Sequence, residues 1–344
     1  MITMMEKEIF ESPAAVAQAL EQNSRSMARI AAALKKKTSV FFAARGTSDH
    51  AAIYGKYLFE TLLGLPAGLA APSVTSVFGR QVDYSQSAVI GISQSGEAED
   101  VRRVLESAKK SGAYTIAVTN NPTSALAALA DAHIDMAAGP EKSVAATKTF
   151  TCSLFVLAML VAECAHDEAL TQALHAVPGT VERALSLSAD IKNIAPRYRF
   201  MDSCFTFARG YDYCMAFEAA LKMQECAYIK AKAYSMSDFL HGPIAMVERD
   251  TPCFAYISRG PFSQGMSGML ARLKQNGADL TVFSDDKALC SLADVALPLP
   301  QPVHAALSPL GIAPAAQLFA CHVSLTRGLL PDTPRGLSKV TITV

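Results

Sequence analysis

Small polar residues follow an apolar stretch in the first third of the chain. In "AVIGISQSGEAEDVRRVLE", residues 88–106, Ser93, Gln94, Ser95 and Gly96 stand between a predicted buried strand and a predicted amphipathic helix. Two hydroxyls, a glycine that permits close backbone approach and the free N–H groups of a helix start are suited to holding an oxyanion. The alternative is that one serine only caps the helix.

A second polar turn lies earlier in the chain. Thr47 and Ser48, in "RGTSD", also follow a predicted strand. In an open parallel sheet, ligands bind beyond the carboxyl ends of the strands. Two hydroxyl loops that converge at neighbouring strand ends favour phosphate over a simple helix cap.

Charged residues recur at helical spacing in "FEAALKMQE". Glu218, Lys222 and Glu225 are separated by four and three residues, so they share one helix face. One interpretation is a solvated face of surface ion pairs. The other is a partly apolar site in which a carboxylate with a raised pKa moves protons between adjacent carbons. The apolar residues that flank this stripe and favour the second interpretation are Phe217, Leu221 and Tyr228.

For two further residues, the sequence alone does not decide between a structural and a chemical role. His241, in "DFLHGPIAM", is a single histidine, and such residues are more often structural than catalytic. Lys339 is five residues from the terminal Val344, where a lysine is normally a solvated charge. Neither residue indicates a reaction by itself.

The elements that position these residues occur twice. Four segments of the first half are echoed in the second half, in the same order and at offsets of 163 to 165 residues, which indicates a tandem duplication. The matched pairs are Gly46 with Gly210, Ser93 with Ser258, Gly112 with Gly277, and Asp131 with Asp294.

Each copy alternates helices with apolar strands such as "SAVIGIS" and "YTIAVTN", which predicts a parallel sheet covered on both faces. We therefore predict two α/β domains of three layers, residues 1–180 and 181–344. An amphipathic helical lead, residues 13–37, precedes the first sheet. The pair Pro178-Gly179 predicts the break between the copies.

Composition excludes several classes of protein. The 344 residues carry 31 basic and 31 acidic side chains and are 51% hydrophobic, so we expect no nucleic-acid partner. The start has no signal-peptide pattern, and the most apolar stretch contains Glu163 and is shorter than the ~20 residues a bilayer needs, so we expect no membrane segment. The eight cysteines lack paired spacings, which argues against a metal site or a disulfide framework and fits the cytoplasm.

Several motifs together resemble the sugar isomerase (SIS) domain family, and most closely its tandem members that act on amino-sugar phosphates. They are "RGTSDH", "GISQSGEAED", "SVAATKTFT", "FEAALKMQECAYIKAKAYSMSDFLHGP" and "PRGLSKVTITV". The likeness covers nearly the whole chain, in order. It implies tandem flavodoxin-like α/β/α sandwiches, a C-terminal tail that folds over the sugar, and no metal or organic cofactor.

The resemblance also implies roles for individual residues. Glu225 would be the base that moves the proton between C2 and C1. His241 would open the sugar ring from the neighbouring subunit of a homodimer, and Lys339 would contact or condense with the open-chain carbonyl. The phosphate ligands would be Thr47, Ser48, Ser93, Gln94 and Ser95, and further substrate-binding residues would be Glu141, Ala146 and Lys222.

The chain departs from the family pattern at three places. Ala98 stands where the family has a threonine that contributes to phosphate binding, and Ala146 stands where a serine is usual. The tail reads Gly336-Leu337-Ser338-Lys339 where the family has Asn-Leu-Ala-Lys. We therefore expect a sugar specificity that can differ from that of the relatives.

The function expected from this resemblance is conversion of glucosamine 6-phosphate to fructose 6-phosphate and ammonia, because no glutaminase segment with its nucleophilic cysteine is found ahead of the first sheet. Two alternatives within enzymes are a deglycase of phosphorylated sugar-amine adducts and a galactosamine-6-phosphate deaminase. A third is a non-catalytic phosphosugar sensor, although a sensor would not need Glu225, His241 and Lys339 together.

Overall fold

The computed structural model describes residues 2–339. The strands are β1 (Ser39–Ala43), β2 (Ala67–Leu69), β3 (Ser87–Ile92), β4 (Tyr114–Thr119), β5 (Ala132–Asp135), β6 (Ser203–Ala208), β7 (Lys230–Ser235), β8 (Pro252–Tyr256), β9 (Asp279–Ser284) and β10 (Val295–Pro298). The α-helices are α1 (Met4–Phe10), α2 (Ser12–Asn23), α3 (Met27–Leu34), α4 (Thr47–Leu63), α5 (Pro72–Ser76), α6 (Glu99–Lys110), α7 (Ala125–Leu129), α8 (Lys148–Ala165), α9 (Glu168–Leu185), α10 (Ser188–Ile194), α11 (Tyr213–Ala227), α12 (Met236–Phe239), α13 (Met266–Gln275), α14 (Lys287–Cys290) and α15 (Ser308–Thr326).

The chain forms two compact units, neither of which is continuous in sequence. The N unit comprises Ser12–Glu141, Lys148–Ala176 and, of the described tail, residues 336–339. The C unit comprises the chain start through Glu11, Lys142–Thr147 and Val177–Arg335. The division into domains 1–180 and 181–344 stays a prediction about the duplicated sequence.

The N unit contains a five-stranded parallel sheet in the order β2-β1-β3-β4-β5. Every residue of β3 is buried, as expected for a central parallel strand covered on both faces. Phe41 of β1 packs with the cluster that includes α6, whereas Phe42 lies against Gly55 of α4 on the other face. The sheet therefore lies between two helical layers, which confirms the predicted α/β/α architecture.

The C unit repeats this plan in the order β10-β9-β8-β6-β7, again all parallel. Cys253 and Ala255 of β8 pack in a cluster with α13, while Phe254 of the same strand packs against Phe319 of α15. Alternate residues thus face opposite layers. Strand for strand, the order matches that of the N unit, as the predicted duplication requires.

Helix α9 continues through Pro178 and Gly179, so the pair does not form a turn, and the break between the copies at this pair stays a prediction. Proline at this position removes one backbone hydrogen bond to the carbonyl of residue 174. The helix persists because its apolar side is buried along its length, and packing outweighs the local penalty. The buried apolar residues of α9 are Leu170, Leu174, Val177, Val181 and Ala184. The predicted lead also differs in detail, since it is divided between α2 and α3.

Two helices are long and apolar enough to cross a membrane by length and composition. They are Lys148–Ala165 and Ala305–Thr326, and 89% and 100% of their apolar windows are buried inside the protein. Apolarity on all sides is typical of a helix enclosed by its own fold. In this chain the two helices form part of the cores of their units.

Candidate active site

The loop after β3 is held by its own hydroxyls. The Ser93 side chain is buried, and its Oγ accepts a hydrogen bond from the Gly96 N–H at 3.1 Å. Ser95 Oγ accepts one from the Glu97 N–H at 3.2 Å. Helix α6 begins after Ala98 without a side-chain cap. The capping alternative therefore does not describe these serines, and within the first turn of α6 the Val101 N–H donates to Asp100 Oδ1 at 2.9 Å.

Gly96 has a structural requirement of its own. Its φ is +72°, in the region that favours glycine, and a Cβ there would lie 2.1 Å from Ser124 Oγ. The neighbouring backbone is braced as well, since the Asn120 N–H donates to the Gln94 carbonyl at 3.0 Å. The loop is thus fixed in one conformation before any ligand arrives.

Thr47 and Ser48 stand at the adjacent strand end, as predicted. Strand β1 pairs with β3 in parallel, with Ala43 opposite Gly91, and α4 begins directly at Thr47. Arg45, between β1 and α4, donates from its Nε to the buried carboxylate of Asp100 in the first turn of α6. One ion pair therefore ties the β1 end to the helix that follows the serine loop.

The equivalent edge of the C unit is built differently. Where the N unit has Thr47 and Ser48, this edge has Asp212, which is completely buried. The Asp212 carboxylate accepts hydrogen bonds from the Ser258 N–H at 2.8 Å and from the Ser308 hydroxyl. Burial raises the pKa of Asp212 to about 7. This edge carries a buried carboxylate where the N unit has hydroxyls, and the phosphate loop of the N unit stays a prediction.

Helix α11 carries a buried ionic group. The Lys222 Nζ lies 2.6 Å from Glu225 Oε2 and 3.4 Å from Glu218 Oε1. The side chains of Lys222 and Glu218 are 0% exposed, whereas that of Glu225 is 23% exposed. Burial opposes the charged lysine, but the two carboxylates outweigh it, so the pKa of Lys222 lies above its ordinary value. A solvated face of ion pairs is excluded.

The permanent ammonium has a chemical consequence. A charge buried without a partner is very costly, so Lys222 depends on both carboxylates. In return its Nζ donates a hydrogen bond to Glu225 Oε2 at 2.6 Å, and a carboxylate is a group that can serve as a base. Glu225 is also the accessible member of the group, because Glu218 is fully enclosed.

Two predicted site residues that lie 198 positions apart meet in the N unit. The Lys339 Nζ donates to Glu141 Oε2 at 2.8 Å. The Glu141 carboxylate is buried and also accepts hydrogen bonds from the Thr149 N–H at 3.1 Å and the Thr149 hydroxyl at 2.8 Å. The tail lysine is therefore bound to a carboxylate whose own position is fixed.

His241 lies on an exposed turn of the C unit, after α12. Leu240 and Met246 beside it are exposed apolar side chains. Among the described residues, no hydrogen bond or ion pair joins the His241 ring to Glu225 or Lys222. Its assignment to a neighbouring subunit stays a prediction.

The segment that contains Ala146 is held by acidic residues that the sequence analysis did not identify. In the C unit, the Glu8 carboxylate of α1 accepts hydrogen bonds from the N–H groups of Lys142 and Ser143. The Asp332 carbonyl accepts one from the Val144 N–H at 3.3 Å. A signal for Glu8 existed, because a buried acid in the apolar stripe of α1 needs a polar partner.

Comparison with known proteins gives a family match in both copies. The SIS domain model matches residues 33–163 and 201–327. Glutamine–fructose-6-phosphate aminotransferase (isomerizing) of Thermococcus kodakarensis is 35% identical, covering 97% of this chain and 57% of the relative. The enzyme of that name from Aquifex aeolicus is 34% identical, covering 99% and 57%. The chain spans a little over half the length of these curated relatives.

Solved structures match the whole fold. A Silicibacter pomeroyi protein, provisionally described as a phosphosugar isomerase, has 34% identity and a TM-score of 0.88, with 96% of this chain and 100% of that chain covered. The C-terminal domain of glucosamine-fructose-6-phosphate aminotransferase from Francisella tularensis has 27% identity and a TM-score of 0.88, with 97% and 99% covered. Thermotoga maritima glucosamine-6-phosphate deaminase, at 21% identity and a TM-score of 0.79, with 99% and 100% covered, shows the shared fold.

The buried Asp212 predicts a specific pH dependence of stability. Its folded pKa is raised, so its contribution to stability is complete below about pH 4 and is lost as pH rises through about 7. The substitution Asp212→Asn removes this pH-dependent decrease in the free energy of unfolding, because an amide does not ionise. We expect the variant to exceed the parent in free energy of unfolding by about 1–3 kcal/mol at pH 8, with the difference shrinking at pH 5.

Urea titrations at both pH values measure this difference. Asp250→Asn is the matched control, because the Asp250 side chain is 85% exposed and should show no pH-dependent difference from the parent. A constant difference between Asp212→Asn and the parent from pH 5 to pH 8 would contradict the assignment.

Proposed function

Because the chain belongs to the SIS-domain family, we propose that it is an amino-sugar-phosphate isomerase and deaminase that converts glucosamine 6-phosphate to fructose 6-phosphate and ammonia. The observation that carries the proposal is the buried group on α11, in which a fully enclosed ammonium donates a hydrogen bond to the accessible carboxylate of Glu225. A protein that only sensed a phosphosugar would have no use for this base. The expected location is the cytoplasm.

In the proposed reaction, His241 transfers the protons of ring opening and Glu225 transfers the proton between C2 and C1. His241, from a second copy of the chain, takes the proton of the C1 hydroxyl and returns one to the ring oxygen, which opens the ring. Glu225 takes the C2 proton and delivers it to C1 through an enolamine, which leaves an imine at C2. Water adds to this imine, and the products are the ketone and ammonia.

The remaining residues bind and polarise the substrate. Lys339 contacts the open-chain carbonyl and stabilises the negative charge that grows on its oxygen. The phosphate is held by the hydroxyls and N–H groups of the N-unit loops, namely Thr47, Ser48, Ser93, Gln94 and Ser95. Glu141, Ala146 and Lys222 remain proposed contributors to the sugar site.

Ammonia release from a panel of phosphorylated amino sugars tests the proposal. Parent protein should release ammonia from glucosamine 6-phosphate, with fructose 6-phosphate formed in equal amount. Release only from galactosamine 6-phosphate, or release of a larger amine only from phosphorylated sugar-amine adducts, would replace the substrate assignment. Binding without any turnover would favour a sensor.

The phosphate loop is tested by removing one hydroxyl from each strand end. Thr47→Ala combined with Ser93→Ala should weaken binding of glucosamine 6-phosphate and of inorganic phosphate by at least about tenfold, because each hydrogen bond to a charged group is worth about 1.5–3 kcal/mol. Calorimetry measures both affinities. The control is Thr123→Ala combined with Ser291→Ala, at two exposed positions. Parental affinity in the first double variant would refute the loop assignment.

The base is tested by Glu225→Gln. The amide preserves the shape of the side chain and removes the proton acceptor, so deuterium exchange at C1 and C2 of the sugar phosphate should fall by about 10²–10⁴-fold while binding stays close to parental. Nuclear magnetic resonance in heavy water measures the exchange. Glu182→Gln, on the exposed side of α9, is the control and should exchange normally. Unchanged exchange would remove Glu225 from the mechanism.

The origin of His241 is tested by mixing inactive chains. His241→Ala and Glu225→Gln chains should form heterodimers in which one site receives both defects and the other receives neither. Random pairing of independent sites then restores about a quarter of parental activity. A mixture of Glu225→Gln with Lys339→Met chains is the control and should stay inactive, because each defect stays in its own chain. Absence of complementation after verified subunit exchange would place His241 in its own chain's site or outside catalysis.

A further inference from the structure

A lysine near a chain end needs to be fixed before it can act on one atom. Lys339 lies four residues after Arg335, and four extended residues span up to about 14 Å. A tail fixed at Arg335 alone would let the ammonium explore most of that distance. The structure shows one attachment at Arg335 and another at Lys339.

The first attachment is made by Tyr228 in the C unit. The Arg335 N–H donates to the Tyr228 hydroxyl at 2.8 Å, and the Arg335 guanidinium lies 4.2 Å from the centre of the Tyr228 ring. Such a cation–π contact adds to the hydrogen bond. Tyr228 has a φ of +56° at the end of α11, a conformation that is uncommon for an aromatic residue. The helix that carries Glu225 therefore ends in the residue that holds the start of the tail.

The second attachment is made by Glu141 in the N unit. Its carboxylate is buried and receives two hydrogen bonds from Thr149, in the first turn of α8, where a negative charge is favourable. The Lys339 Nζ then binds Oε2 at 2.8 Å and is itself 24% exposed. A carboxylate fixed in this way can position an ammonium without losing that ammonium's access to a ligand.

We infer that Glu141 is a positioning residue for the Lys339 ammonium and that Tyr228 fixes the start of the tail at Arg335, each by contacts within its own unit. The inference rests on the proposed function of Lys339. It adds Tyr228 and Glu141 as the residues that hold the tail in place. Neither residue needs to touch the reacting atoms. Their contribution is to restrict where the ammonium can go.

Limited proteolysis tests the attachments without any substrate. Trypsin can cleave after Arg335 and after Lys339, and the cleavage rates of the parent at both bonds are the reference. Glu141→Gln should accelerate cleavage after Lys339 by about tenfold, because a charged hydrogen bond is lost and cleavage follows the open population. Tyr228→Leu should do the same after Arg335, and Tyr228→Phe, which keeps the ring, should have a smaller effect.

The mass of the released C-terminal peptides reports which bond is cut. Glu60→Gln is the control for the loss of one carboxylate, since its ion pair with Lys56 is long, at 4.0 Å, and exposed. Circular dichroism verifies that each variant is folded. Parental cleavage rates in folded Glu141→Gln and Tyr228→Leu would overturn the inference.

Kinetics separate positioning from a general structural role. Both variants should lower kcat by at least about tenfold, while inhibition by inorganic phosphate stays parental because the phosphate loop is intact. Glu141→Asp, which keeps the charge, should recover part of kcat. Faster cleavage with an unchanged kcat would overturn the positioning role. A parent protein without turnover would contradict the proposed function, and the cleavage rates would then still decide the attachments.

Discussion

The structure of the candidate site depends on the buried ammonium of Lys222. Lys222 is fully enclosed, and without Glu218 and Glu225 its charge would cost several kcal/mol. The helical spacing of four and three residues brings all three side chains together within α11. Helix α15 packs on α11. The C unit must therefore pack α11 so that Lys222 stays next to both carboxylates, which a purely hydrophobic core would not require.

The two units show how one fold carries different chemistry. Both sheets have the same strand order, and both present strand ends to which a ligand could bind. The N unit has hydroxyls there, whereas Asp212 in the C unit takes the hydrogen bonds that an anion would need. In addition, Phe262 lies where a Cβ on Gly210 would meet it at 2.7 Å. The fold therefore fixes the place of a site, and a few side chains decide whether a ligand can use it.

The sequence predicts the features that depend on local order. Apolar strands and constant offsets predict the two parallel sheets, and the spacing on α11 predicts the shared face of Glu218 and Glu225. Three features lie beyond it because they depend on packing between distant segments. The complete burial of Lys222 depends on how α11 packs within the C unit, the bond from Lys339 to Glu141 joins residues 198 positions apart, and α9 continues through Pro178 because its apolar side is buried.

Exposure distinguishes the two carboxylates of α11. Glu218 is fully enclosed beside Lys222, whereas the Glu225 side chain is 23% exposed and its Oε2 lies 2.6 Å from the same Nζ. Removing one partner of a buried ion pair costs more than removing one of a surface pair, because the remaining charge stays out of water. Loss of the enclosed Glu218 should therefore destabilise the C unit although no ligand can reach it, and Glu225 is the carboxylate of this group that a ligand can contact.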